Sequence, residues 1–291
     1  MSRVIAIAGG KGGTGKTFIA SNLAYALSKE YRVLLIDADV ENPSVQTILK
    51  LDVKSIKESR SFKPLINEEK CQKCSLCSKN CPEHALIMLI SGKIMYFEDL
   101  CSGCEVCKIV CPSSAITEDA KIDGVFKYGS YGDKLDVVIG EIKPGNRRSG
   151  FMTTKLIEEH KYMYDQYDYV VIDSPPGSGV ALLSIIKHSD VVVAVTEPTP
   201  LGLSDLTKFL MLIDKYRKTT LKLIMTINKY DLPGGLSKPL EEVALEKSIP
   251  IVRLPYSESV MKSYSERKPL VDLEPCSSLA QEIIKLSKMV M

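Results

Sequence analysis

Apolar residues along this chain gather into short continuous runs instead of alternating with polar ones. Residues 3–8 (RVIAIA), 32–37 (RVLLID), 169–173 (YVVID), 191–196 (VVVAVT) and 221–227 (LKLIMTI) are β-branched and have no polar face. Runs of this kind predict strands covered on both sides. Between and beyond them, apolar positions at helical spacing predict helices over residues 16–29, 204–216, 239–247 and 277–289. Strands alternating with helices imply an α/β fold, a mostly parallel sheet with helices on both faces.

The alternation stops after about residue 58 and resumes near residue 135. The gap holds eight of the nine cysteines, all between Cys71 and Cys111. An insertion between two strands of one sheet is the simplest account, with residues 61–120 as a small α+β domain between residues 1–60 and 121–291. Composition is that of an ordinary globular chain, 45% hydrophobic and 25% charged, with a formal net charge of +2. Such a balance gives no polyanion-binding surface, so nucleic acid is not expected as a partner. No apolar run is long enough to span a bilayer, and the first residues lack the h-region and cleavage site of a signal peptide. A cytoplasmic, reducing location is therefore expected, where clustered cysteines favour metal or redox chemistry over disulfides.

Residues 10–17 (GKGGTGKT) fit G-x-x-x-x-G-K-[ST] between a predicted strand and a predicted helix. In such a loop the backbone N–H groups of Gly10, Lys11, Gly12, Gly13, Thr14 and Gly15, with the helix start at Lys16, Thr17 and Phe18, cradle phosphates. Lys16 would reach the β- and γ-phosphates, and Thr17 would give a hydroxyl to Mg²⁺. A second Mg²⁺ acid belongs at a buried strand end, where Asp173 stands. Asp37 and Asp39 follow another strand.

Lys11 is the extra lysine that marks a deviant Walker A loop, and the chain here resembles the MinD, ParA and Mrp group of ATPases. DADVENPS at 37–44 resembles that group's switch I, and DSPPG at 173–177 its switch II. The resemblance implies a homodimer formed on ATP binding, with Lys11 reaching the partner's phosphates. It also implies that Asp39 orients the attacking water, that Asp37 lies near the Mg²⁺ shell and that Asp173 is the Walker B acid. Asn228-Lys-Tyr-Asp231 fits the N-K-x-D pattern of guanine readers, but in the MinD-like group an asparagine here contacts adenine and the loop near Pro255 closes over the base. ATP is the favoured nucleotide on that resemblance.

C-x2-C-x2-C-x3-C-P occurs twice, thirty residues apart, at 71–82 and 101–112. This is the spacing of bacterial two-cluster ferredoxins, in which the fourth cysteine ligates the other cluster. One 4Fe-4S cluster takes Cys71, Cys74, Cys77 and Cys111; the other takes Cys81, Cys101, Cys104 and Cys107. Zinc is the competing reading of paired C-x2-C units. Leu86, Ile87, Ala115 and Ile116 are expected around the clusters. Cys276, His84, His160 and His188 show no partners in sequence, and the amphipathic stripe at 279–290 reads as a core-packing helix.

The whole pattern resembles MinD-superfamily ATPases carrying an inserted ferredoxin domain, which implies ATP, Mg²⁺ and two 4Fe-4S clusters as cofactors. ATP-driven dimerisation would then be coupled to electron transfer to or from an unidentified redox or iron-sulfur partner. A cluster carrier of the Mrp type is the alternative, although that group bridges its cluster with a C-terminal C-x-x-C and Cys276 stands alone. A MinD-like switch with redox-sensing clusters is a third.

Overall fold

A computed structural model describes residues 2–177, 179–216 and 220–291. In chain order the elements are β1 Arg3–Ala8, α1 Lys16–Ser28, β2 Val33–Asp37, α2 Val45–Ile48, β3 Asp52–Ile66 and α3 Leu76–Lys79. β4 Leu86–Met88, β5 Ile94–Tyr96, α4 Val106–Ile109, β6 Ile116–Tyr131 and β7 Leu135–Ile142 follow. Next come α5 Ser149–His160, a 3-10 turn at Lys161–Gln166, β8 Tyr169–Asp173, α6 Val180–Lys187, β9 Val191–Thr196, α7 Pro200–Tyr216 and β10 Lys222–Asn228. The chain finishes with α8 Ser237–Glu246, β11 Ile251–Leu254, α9 Ser259–Glu266, α10 Leu270–Leu273 and α11 Ser278–Val290.

Two compact units result, the first made of Met1–Ile56, Phe126–Glu141 and Ser149–Met291. The main sheet has the order β11-β10-β9-β1-β8-β2-β7-β6-β3, with every pair from β11 to β7 parallel. Its central strands are fully buried: Ile5, Ala6 and Ile7 of β1 and Val170, Val171 and Ile172 of β8 are all 0% exposed. Each such valine or isoleucine contributes about 1.5–3 kcal/mol by leaving water, so a strand end is held where the core places it. α11 adds Leu279, Ile283, Leu286 and Val290 to the same core, and Ser277 caps its first turn by accepting from the Ala280 N–H at 3.4 Å. The C-terminal stripe is therefore a core face.

The second unit comprises Lys57–Val125 together with Ile142–Arg148. It takes in more than residues 61–120 because the later segment is tied back: Lys143 N–H donates to the Asp123 carbonyl at 2.8 Å and Arg148 reaches the carbonyl of Cys101 at 3.0 Å. β3 and β6 escape periodicity, since most of β3 is exposed and only scattered positions in it, such as Ser59 and Phe62, are buried.

The cysteine repeat folds as a pseudo-twofold. Lys73, Ser75 and His84 have left-handed φ angles, and so do Gly103, Glu105 and Ser114, thirty residues on. Phe97 N–H donates to the Ala85 carbonyl and Asn67 N–H to the Ala115 carbonyl, both at 2.8 Å. The donors Phe97 and Asn67 and the acceptors Ala85 and Ala115 each differ by thirty residues in opposite directions, as a twofold axis exchanging the repeats requires.

Candidate functional site

The phosphate loop leaves the C-terminal edge of the sheet after β1 and turns into α1, with Gly13 at φ 80° and Gly15 at φ 89°. Those angles favour residues without a Cβ. Space enforces the second glycine as well, because a Cβ on Gly15 would come within 2.5 Å of the Asn228 side-chain nitrogen. Lys16 folds over the loop and donates to the Lys11 carbonyl at 2.8 Å, and the Thr14 hydroxyl donates to the same oxygen at 3.4 Å. Burial pulls the Lys16 ammonium below its ordinary pKa, against the opposing pull of Asp173 and Asp39.

Asp37 and Asp173 are the last residues of β2 and β8 and are partners in register. Both are fully buried. Asp37 accepts from the N–H groups of Ser44 (2.8 Å), Val45 (2.9 Å) and Asp39 (3.3 Å), so it shapes the loop carrying Asp39. Burial, then Asp173, raises its pKa well above the usual carboxylate range, against the Val45 N–H. Neither oxygen of Asp173 has a hydrogen-bond partner within bonding distance. Burial pushes its pKa up to about 7, opposed by the nearby Thr17 hydroxyl and Lys16. A buried carboxylate with two unused oxygens beside Thr17 suits a hard cation held through oxygen. Thr17 in turn receives the Ser44 hydroxyl at 3.1 Å, joining the phosphate loop to the 37–44 segment. Gly177 N–H donates to the Gly10 carbonyl at 3.1 Å, joining it to the 173–177 segment. Asp39 is half-buried, and burial raises its pKa against the Asn42 N–H and Lys16.

Beside the loop lies a cavity of about 220 Å³ lined by Gly13, Gly15, Phe18, Asn228, Pro255 and Tyr264. Asn228 donates to the Thr14 carbonyl at 2.9 Å, and Phe18 stacks on Tyr264 with ring centroids 6.4 Å apart. Asp231 is directed elsewhere: its carboxylate accepts from the Tyr256 N–H at 2.7 Å. The N-K-x-D pattern read from sequence thus supplies a loop fastener at its fourth position. Tyr264, on α9, was missed because a lone tyrosine in a polar helix carries no motif.

In the second unit the thiols of Cys77 and Cys107 each feel three other cysteines. Burial raises the pKa of Cys77, and its sulfur neighbours, Cys71, Cys111 and Cys74, raise it further, against the Ser78 N–H. Burial raises Cys107 to about 11, with Cys101, Cys104 and Cys81 as its sulfur neighbours, against the Lys108 N–H. Among the described residues no group of three or more His, Cys, Asp or Glu side chains could hold a metal ion as placed. A cubane asks for a different arrangement, since each thiolate takes its own iron corner. Backbone N–H groups already point at sulfur: Ala85 to Cys81 and Ala115 to Cys111 at 3.3 Å, and Gly103 to Cys101 at 3.4 Å. Cluster sulfurs are tuned by such donors.

Comparison with known proteins then decides the family. The CobQ/CobB/MinD/ParA nucleotide binding domain matches residues 5–270. This chain belongs to that family. It is 33% identical over 205 residues to an uncharacterized protein of Methanocaldococcus jannaschii, covering 69% of this chain and 70% of that one. An iron-sulfur cluster carrier protein of Aquifex aeolicus is 24% identical over 303 residues, 100% of this chain and 67% of the relative. Among solved structures, the septum site-determining protein MinD of Pyrococcus horikoshii, complexed with Mg-ADP, has a TM-score of 0.62 at 21% identity, covering 100% and 96% of the two chains. That likeness shows the fold.

Within the family fold, the loop residues 10–18, Asp37, Asp39, Asp173 and Asn228 converge on one sheet edge, and Pro255 lines the adjoining cavity. Ile87 departs from expectation. It is 43% exposed, because Leu86 takes the inward position of β4 and strand alternation turns its neighbour outward. Leu86 and Ile116 pack with Phe62, Cys77 and Cys107 in the core of the second unit, and Ala115 is buried as well. His160 is a satisfied core histidine, bonded to the Leu156 carbonyl at 2.7 Å and the Tyr128 hydroxyl at 2.8 Å. No helix of the described residues is long and apolar enough to cross a membrane.

Proposed function

We propose that this protein binds and hydrolyses ATP with Mg²⁺ as a nucleotide-driven homodimer, and couples that cycle to electron transfer through two 4Fe-4S clusters. The observation that carries the reading is the presence of two complete sets of groups in one chain. One is the buried, unpartnered Asp173 beside Thr17 and Lys16; the other is the pair of cysteine motifs, whose left-handed φ angles repeat at the same offset. Asp173 and Thr17 would hold the metal, with Asp37 at its border ordering the loop that carries Asp39. Lys16 would neutralise phosphate charge within its own subunit, Lys11 would reach the partner's phosphates, and Asp39 would orient the attacking water. The Lys11 ammonium makes no hydrogen bond or ion pair to another described residue, which suits a partner outside the chain. Adenine would occupy the cavity between Phe18, Asn228 and Pro255.

When bound, the clusters would supply one-electron redox centres in the reducing cytoplasm. The chain's own part is to hold them through Cys71, Cys74, Cys77 and Cys111 and through Cys81, Cys101, Cys104 and Cys107. The ATPase rate of anaerobically reconstituted protein, measured with the clusters oxidised and then reduced, tests the coupling. A rate that changes severalfold supports it; an identical rate in both states refutes it.

A second reading, delivery of a cluster to a client, is favoured by similarity along the whole of this chain to 67% of the Aquifex aeolicus carrier. Transfer of iron to an apo-ferredoxin, faster with ATP than without, would select it over electron transfer.

A further inference from the structure

We infer that Lys121, Arg148 and Tyr96 make the cluster held by Cys101, Cys104, Cys107 and Cys81 the higher in reduction potential of the two, so that the first electron the protein accepts resides there. The inference rests on the two-cluster reading above. The pseudo-twofold gives both quartets nearly the same backbone, so any difference between them comes from what breaks the symmetry.

Three side chains break it, all at Cys101. Lys121, 7% exposed, donates its ammonium hydrogens to the carbonyls of Cys101 at 2.7 Å and Glu98 at 3.2 Å. Arg148 donates to the same Cys101 carbonyl at 3.0 Å and to that of Ser102. Tyr96 places a buried hydroxyl, without a partner at bonding distance, beside the Cys101 sulfur. Thirty residues earlier the counterparts of Lys121 and Tyr96 are Ser91 and Ile66, and Arg148 comes from outside the repeat. Asp123, 1% exposed and 3.5 Å from Arg148, cancels one of the two cations and leaves one buried positive charge.

Cys71 has cations near it too. Lys73 and Lys93 line the cavity of about 360 Å³ beside it, together with Glu68. Both lysines are exposed, so water and salt screen them. Reduction adds one negative charge to a cluster. A desolvated cation against the backbone of a ligand stabilises that added charge far more than a solvated one does. The buried Tyr96 hydroxyl, satisfied by no other group, acts in the same direction when its O–H turns toward that sulfur. The deeper burial of Cys101 works the other way, by disfavouring added charge, but it removes partial solvation from only one sulfur of four.

The test uses the full chain reconstituted anaerobically and assayed for iron, then titrated with dithionite while electron paramagnetic resonance follows each cluster. Two separated midpoints are expected, and Cys104→Ser should perturb the signal of the higher one. Lys121→Gln and Arg148→Gln should each lower that midpoint and leave the other in place. Tyr96→Ile, which installs the residue found at the symmetry-related position, should lower it as well and keeps the test open if a charge variant takes up no iron. Coincident midpoints, or a shift confined to the Cys71 cluster, would overturn the inference while leaving two clusters standing. Iron well below about eight atoms per chain would instead remove the two-cluster reading and the inference with it.

Discussion

Asp37 and Asp173 stand side by side in register at the ends of β2 and β8, yet only Asp37 has its oxygens satisfied. Burial raises the pKa of both, Asp173 raises that of Asp37 further, and Asp173, with no donor within bonding distance, gains most from a cation. The sheet edge therefore stores a demand for positive charge at the place where Lys16 and Thr17 arrive.

That demand has a consequence for stability. A carboxyl whose pKa is raised by folding contributes its stability in full below the unfolded value near 3.8 and loses it as pH rises through about 7, the value for Asp173. Asp173→Asn is expected to stabilise the nucleotide-free protein by roughly 1–3 kcal/mol at about pH 8 and to change it little near pH 4. Urea unfolding across that range reads the difference, and the same variant should fail to turn over ATP. A loss of stability at pH 8 would contradict the unpartnered state of this group.

The two loop lysines should separate binding from assembly. Lys16→Ala removes a cation required in ground and transition states alike, so it should weaken ATP binding itself. Lys11→Ala should leave monomeric binding intact, abolish dimerisation with a non-hydrolysable analogue and slow turnover by about 10³, as for a cation acting in trans. Light scattering and single-turnover hydrolysis distinguish them. A Lys11→Ala protein that still dimerises and hydrolyses at the parent rate would make this an ordinary P-loop.

Base choice should follow Asn228 and not Asp231. Because Asp231 fastens the Tyr256 backbone, Asp231→Ala should change the ratio of ATP to GTP affinity by less than about threefold, while costing at most about 1 kcal/mol of stability. Asn228→Ala should weaken ATP at least about tenfold, the equivalent of roughly 1.4 kcal/mol. A strong GTP preference lost in Asp231→Ala, seen by isothermal titration, would reverse the assignment.

The crossed quartets predict a crossed phenotype. Cys111→Ser should damage the cluster of Cys71, Cys74 and Cys77, although Cys111 follows Cys107 in sequence. Spectroscopy of iron-loaded protein should show that signal altered and the Cys101 signal retained. Loss of the Cys101 signal instead would refute the pairing.

Much of this was readable along the chain because it depends on local spacing. The buried strands announce themselves as unbroken apolar runs, the phosphate loop as glycines at fixed offsets, and the cysteines as a repeat whose period survives in the φ angles. Other features carried no such signal. β3 is mostly exposed, with only scattered buried positions, and so had no period to detect. Segment 142–148 belongs with the cysteine unit through Lys143, Asn146 and Arg148, whose partners there lie 20 or more residues earlier. Asp231 matched a guanine reader in sequence and became a tether because Tyr256 is folded against it. Sequence by itself determined the buried parallel strands, the phosphate loop and the cysteine repeat, since φ, ψ preferences and motif spacing act over a few neighbours. Only the tertiary structure decided which of two adjacent aspartates is left unsatisfied and which cysteine carbonyl holds a buried lysine and a partly buried arginine, since burial and charge depend on distance in space.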